Sequence, residues 1–343
     1  RLTGARCREL IGSDEMPSSR KSVWVLADQY VGNLNQCIGV ADALGLPHET
    51  KRISYNRWAR LPNLMLGSTL VHLSHDGVSE ILAPWPDIVI AAGRRTVPVA
   101  RSIKRSSGGR TFLVQTMWPG PPTTDLDLIA TPLHDRVNER DNLIRTLGAP
   151  HNITQKRLET AAGIWSERLA DIPSPRIALL VGGNTRRHRF TSKLARKLAS
   201  EVSDLMAKWG GGLMVSTSRR TEQVARDALV ENIGHRKEVY IWRGESGENP
   251  YLAYLALSDA VIVTGDSTSM CTEACATGRP VYIFSPSSAT ATKHQRLHKL
   301  LYDYGSAQPL SAAFNMDGFV SWSYEPINDA AIIAQEINRR IGR

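Results

Sequence analysis

The side chains best suited to chemistry fall in residues 260–284, AVIVTGDSTSMCTEACATGRPVYIF. Ser267, Thr268 and Ser269 come after an apolar run and a Thr-Gly-Asp turn, where a helix of small residues begins. Free N–H groups and the positive end of a helix dipole make such a place an anion site. Glu273 stands about one turn further in. It is not the acid of a capping box, because Met270 and not Ser or Thr lies three residues before it. A carboxylate there is positioned to accept ribose hydroxyls. The plainer alternative has serines that only cap and a glutamate that only favours the helix's first half. On this stretch alone it weighs the same.

Other polar groups also follow apolar runs. Gly182-Gly183-Asn184-Thr185 follows residues 176–181, and glycines at a strand–helix turn let a pyrophosphate approach the backbone. The P-loop lysine and the GxGxxG pattern are both missing. Arg186, Arg187, His188 and Arg189 come next, a phosphate clamp or simply a solvated basic run. Ser218-Arg219-Arg220-Thr221 ends the run 212–217, and Lys293-His294-Gln295-Arg296 opens a later helix. In the first half, residues 28–32 turn after the run 22–27. Gly93-Arg94-Arg95-Thr96 turns after 86–92, with arginines suited to a phosphate or carboxylate. His134 beside Asp135 has the residue types of an acid–base pair, although sequence neighbours rarely face each other.

These turns need a scaffold of buried strands and covering helices. Short β-branched runs at 22–27, 50–54, 86–92, 111–115 and 126–130 predict one parallel sheet. Runs at 176–181, 212–217, 238–242, 260–263 and 281–284 predict a second. Helices are expected over 33–44, 154–169, from about 191, and over 250–257, 268–277, 293–304 and 329–341. The fold class is therefore α/β, with two Rossmann-like domains facing a central cleft. Residues 1–21 read as a disordered basic tail, 22–170 as the acceptor domain and 176–325 as the donor domain. The helix within 329–343 is expected to pack back on the first domain. Ligands of such sheets bind at the carboxyl ends of the strands.

At 343 residues the length suits two domains, and the hydrophobic and charged fractions, 42% and 22%, are those of an ordinary globular protein. No apolar run reaches the roughly 20 residues of a membrane helix. The first 21 residues lack the apolar core of a secretory signal, and Met16 is a candidate start. Cys7, Cys37, Cys271 and Cys275 form no CxxC pair; the last two are expected to pack in a helix, and no metal ligand set is expected. A formal charge of +9 calls for an anionic partner. Trp58, Leu61, Leu64, Met65 and Leu66, rimmed by Arg52, Arg57 and Arg60, suit an anionic membrane surface. The alternative, a helix facing the core, is favoured about two to one.

The glycine turn opening the second half and the Ser-rich, Glu-bearing helix near its end resemble the glycosyltransferase B-fold (GT-B). The likeness is strongest to the subgroup that uses UDP-N-acetylglucosamine to build peptidoglycan precursors. It implies that Gly182, Gly183 and Asn184 receive phosphates, that Glu273 holds the ribose and that Gln295 contacts the donor sugar. The segments DIVIAAGRRTVPVARSIKR, VGGNTRRHRF, STSRRT, VYIW, DAVIVTGDSTSMCTEACATGRPVYIF and SWSYEPIND are similar to the mitochondrial-fission (elongated-mitochondria) family. Plants use such a protein as an adaptor for a dynamin-related GTPase, and many bacteria carry relatives; the lean loops suggest a bacterial member.

GT-B enzymes commonly carry a histidine in the first glycine loop, where this chain has Gly32-Asn33. Asp28 is the nearest substitute base, and Arg94 would hold an acidic acceptor. Arg186, Arg219 and Arg220, with Ser218, Ser267 and Ser269, would stabilise the departing diphosphate. The expected activity is sugar transfer from a nucleotide sugar, UDP-linked by preference and needing no further cofactor, to a lipid-linked or other envelope acceptor. It would proceed in the cytoplasm, with peripheral docking on the inner membrane and no nucleic-acid partner. A non-catalytic adaptor and a nucleotide-sugar 2-epimerase are the rivals.

Overall fold

The apolar runs become strands because both of their faces are covered. The side chains of Val23–Ala27, Ile88–Ala92 and Ala260–Thr264 are buried throughout. A computed structural model describes residues 21–185, 188–234, 237–241, 248–287 and 290–342. Its first half contains β1 (Val23–Ala27), α1 (Val31–Leu44), β2 (His48–Arg52), α2 (Asn63–Leu66), α3 (His75–Ser79), β3 (Ile88–Ala92), α4 (Val97–Ser106), β4 (Phe112–Thr116), β5 (Leu128–Pro132) and β6 (Leu143–Thr146). Then follow α5 (Gln155–Trp165), β7 (Arg176–Val181), α6 (Ser192–Trp209), β8 (Gly212–Thr217), α7 (Gln223–Asn232), β9 (Lys237–Tyr240), α8 (Tyr251–Leu257), β10 (Ala260–Thr264), α9 (Thr268–Cys275), β11 (Val281–Phe284), α10 (Thr292–Tyr304), β12 (Ala307–Pro309) and α11 (Asp329–Arg340).

The strands form two parallel sheets, ordered β2-β1-β3-β4-β5-β6 and β12-β11-β10-β7-β8-β9. Val25 pairs with Ile90 in one and Ile262 with Leu179 in the other. Strand order reverses between β1 and β3 and between β7 and β10, and these are the crevices where open α/β sheets bind ligands. Asp28, Gly93, Gly182 and Asp266 stand just past the carboxyl ends of these strands.

Some elements were hidden in the sequence. β6 is only Leu-Ile-Arg-Thr, and β12 contains Pro309, tolerated because it is an edge strand. α4 carries a proline in its first turn, where its missing N–H costs nothing. Residues 55–73 form no continuous amphipathic helix but a 3-10 turn, Arg57–Arg60, and the single turn of α2. Leu66 is buried there, while Trp58, Leu64 and Met65 are 45%, 75% and 70% exposed.

The last helix crosses back. Ala330, Ile333, Ala334 and Ile337 are buried with Val40, Ala41 and Ile90 of the first domain. Asp329 ties the two interdomain crossings, accepting from the N–H groups of Leu147 (3.0 Å) and Gly148 (2.8 Å). Beside it, a His151 ring nitrogen meets the Ile327 carbonyl oxygen at 3.0 Å.

Candidate functional site

The carboxyl ends of both sheets open on one cleft of about 1250 Å³. Asp28, residues 30–35 and residues 93–95 line it from the first domain. Residues 216–220, Tyr251, residues 266–270, Glu273 and His294 line it from the second. The walls meet closely: a Cβ added to Gly32 would stand 3.7 Å from the Ser269 hydroxyl oxygen.

Glu273 sits low in this cleft and is only 7% exposed. Its Oε2 accepts a hydrogen bond from the Tyr251 hydroxyl at 2.5 Å. Burial pushes its pKa up to about 7, against the pull of the Tyr251 bond and the more distant Arg157 charge. Ser267 caps α9, accepting from the Met270 N–H, and Ser269 lines the cleft without being needed for the cap.

The glycine turn serves another purpose than the one expected of it. Gly182, Gly183 and Asn184 do not line the main cleft. Their N–H groups donate to the Thr264 hydroxyl, the Asp266 carboxylate and the Arg220 carbonyl, at 2.8, 2.9 and 2.9 Å. A side chain at Gly182 would strike Asp266 at 2.3 Å, and one at Gly183 would strike the Arg220 carbonyl oxygen at 2.1 Å. The glycines therefore admit a carboxylate and a neighbouring loop, and a pyrophosphate would find no free amide there. Arg220 is also committed. It pairs with Asp266 at 2.7 Å and donates to the carbonyls of Gly183 and Asn184. The Ser218 hydroxyl donates to the Gly182 carbonyl oxygen. Arg219 is exposed in the cleft wall and makes no ion pair or hydrogen bond among the described residues. Arg186 lies outside the described residues.

Gln295 is likewise displaced: it is exposed, outside the cleft, and donates to the Thr290 carbonyl. His294, one position earlier, lines the cleft instead, a contribution that turn chemistry in the sequence did not signal.

Across the cleft, Asp28 accepts from the Tyr30 N–H (2.9 Å) and from the Asn33 amide (3.0 Å). Burial raises its pKa, while Tyr30, Asn33 and the nearby Arg95 charge lower it. Arg94 is not free to clamp an acceptor. Its guanidinium donates to the carbonyls of Leu61 (2.7 Å) and Ala59 (3.3 Å), holding the 57–66 segment in place. Arg95 is the better-placed cation, over the Tyr55 ring at 5.7 Å and in the cleft wall. His134 has its Nε2 3.8 Å from Asp135 Oδ1, and its backbone carbonyl oxygen accepts from Arg296 Nε at 3.0 Å. It is buried, with a pKa lowered by burial to about 4. Its neighbour Asp135 is held by Lys293 at 2.5 Å.

The sequence profile for mitochondrial fission ELM1 matches residues 31–341. The chain belongs to the mitochondrial fission ELM1 family. Mitochondrial fission protein ELM1 of Arabidopsis thaliana is 28% identical, over 92% of this chain and 90% of the relative. An uncharacterized protein of Rickettsia prowazekii is also 28% identical, over 92% of this chain and 97% of its own. Among solved structures, the chain superposes on the UDP-GlcNAc 2-epimerase of Methanocaldococcus jannaschii with a TM-score of 0.57. The match has 12% identity and covers 94% of this chain and 99% of that one. The same enzyme in complex with UDP-GlcNAc and UDP gives 0.52, at 12% identity, over 94% and 99%. This ELM1-family chain therefore has the GT-B architecture, and identity at that level speaks to fold alone.

Proposed function

We propose that the cleft binds a nucleoside-diphosphate sugar, UDP-linked by preference, and that the protein transfers the sugar to a lipid-linked or other acceptor of a bacterial envelope pathway. The observation that supports this most is Glu273, a buried carboxylate at the β10 switch point whose other oxygen receives no donor among the described residues. Hydroxyl groups of a ribose would complete it. The diphosphate would lie toward Ser269, the first turn of α9 and Arg219. In the transfer, an acceptor hydroxyl oxygen attacks the anomeric carbon, and the bond from that carbon to the diphosphate oxygen breaks. The electron pair leaves on the diphosphate, and the hydroxyl proton passes to Asp28.

Two other readings have specific support. A nucleotide-sugar 2-epimerase, the activity named for a solved protein of this architecture, would need no acceptor. The hydrogen bonds already made by Asp28, with the fission role in the Arabidopsis relative's name, favour an adaptor that kept the fold. Incubation with UDP-N-acetylglucosamine, followed by chromatography of the products, separates them. UDP released only with a lipid-linked acceptor supports transfer. A changed sugar without acceptor supports epimerisation, and an unaltered donor in both supports the adaptor.

No helix among the described residues is long and apolar enough to cross a membrane. Exposed Trp58, Leu64 and Met65, beside exposed Arg57 and Arg60, favour docking on the anionic cytoplasmic face of the inner membrane. Each basic residue near such a surface adds about 1 kcal/mol, an attraction that fades with salt.

A further inference from the structure

Tyr251 opens α8, and its own N–H donates to the Asn249 side chain at 3.0 Å. α8 is anchored by Tyr254 and Leu255, buried in the core beneath β7 and β10. Glu273 is fixed from the other side by α9, whose Cys271, Ala274 and Cys275 are fully buried. The hydroxyl of one thus meets the carboxylate of the other between two rigid elements, at the 2.5 Å of a charge-assisted bond.

A carboxylate has about four acceptor positions on two oxygens. Here one oxygen is taken by Tyr251, and no described residue donates to the other. Arg157 does not neutralise the group directly; its guanidinium donates to the Asn152 carbonyl and acts on Glu273 only at a distance. A buried carboxylate with one neutral partner and no ion pair is costly unless further donors arrive. Neutral O–H or N–H donors would satisfy it, and an anion would be repelled.

From this arrangement we infer that Tyr251 is a positioning residue that makes the cleft selective for ribonucleotides. By holding Oε2, it leaves Oε1 as the one acceptor aimed at a ribose hydroxyl. The inference rests on the nucleotide-sugar reading of the cleft and adds the residue that sets its sugar specificity. A site built to bond a hydroxyl rejects analogues lacking it, because its own polar group is then left unpaired.

The test is equilibrium binding of UDP, 2′-deoxy-UDP and 3′-deoxy-UDP to the full chain and to Tyr251→Phe. The parent should prefer UDP over at least one deoxy analogue by about tenfold or more, the worth of one bond to a charged group. In Tyr251→Phe the preference should shrink to about threefold or less, mainly through weaker UDP binding, since the released carboxylate can turn away from the ribose. A variant that keeps the parental ratio overturns the inference while leaving nucleotide binding intact. A parent that binds UDP and its deoxy analogues equally overturns it without reference to any variant. A parent that binds none of the three overturns both the inference and the reading beneath it.

Discussion

Replacing Glu273 with glutamine should make the protein more stable and less able to bind nucleotide. The folded carboxyl has its pKa raised from 4.5 to about 7, chiefly by burial. The native state therefore keeps this proton over a range where the unfolded chain has released it. Stability from this group is highest below the unfolded pKa of 4.5 and falls as pH rises toward 7. At about 1.4 kcal/mol for each pH unit, the ionised group costs the fold about 3 kcal/mol near pH 8. The groups facing it are Tyr251, Arg157 and Cys271. Only Arg157 carries a charge to oppose that cost. Glutamine keeps the shape and an oxygen for the Tyr251 hydroxyl but cannot ionise. Glu273→Gln should thus unfold at higher denaturant than the parent near pH 8, by up to about 3 kcal/mol, with the gap closing near pH 5. Meanwhile UDP affinity near pH 8 should drop about 10- to 100-fold, from about 1.5–3 kcal/mol lost with a charged acceptor. Urea unfolding at the two pH values, with UDP titrations alongside, reads both effects. A variant no more stable than the parent near pH 8 would refute the claim that this carboxylate is held desolvated for a ligand.

Asp28→Asn should lower sugar transfer by about 10²–10⁴ and leave UDP affinity within about twofold, because the residue faces the acceptor side; steady-state kinetics and calorimetry check the two parts. Gly183→Ala, with its Cβ 2.1 Å from the Arg220 carbonyl oxygen and a φ of +147°, should destabilise the second domain by about 1–3 kcal/mol or more, measured by chemical unfolding. Changing Leu64 and Met65 together to aspartate should abolish co-flotation with anionic vesicles without shifting the melting temperature, since both side chains are largely exposed. Equal flotation of parent and variant would remove that face from membrane docking.

The sequence was most informative where a feature was local. The strands β7, β8 and β11 match the apolar runs residue for residue, because a strand covered on both faces leaves an uninterrupted apolar segment. Ser269 and Glu273 reach the cleft from a helix start that could be read from neighbours alone. What depended on distant contacts was hidden. Gly182 and Gly183 are small for the sake of Asp266 and the Arg220 loop, which arrive from other strands, a reason their neighbours in the sequence do not carry. Arg94 is captured by carbonyls of the 59–61 segment, leaving Arg95 to face the cleft. Gln295 and His294 differ by one residue, or about 100° around a helix, enough to exchange solvent for the cleft. Tyr251 carried no motif at all; its partner lies on the next helix across a strand.

On the proposed reading, Glu273 organises the cleft between the two sheets as a nucleotide-sugar site. Titration calorimetry of the full chain with UDP-N-acetylglucosamine tests it most directly, with GDP-, ADP- and CMP-sugars as comparators and Glu273→Gln as control. Saturable, one-to-one binding of a nucleoside-diphosphate sugar is expected, with the UDP form tightest and a sharp weakening in the variant. Absence of heat for every nucleotide sugar up to millimolar concentration, or binding that Glu273→Gln leaves unchanged, would contradict it.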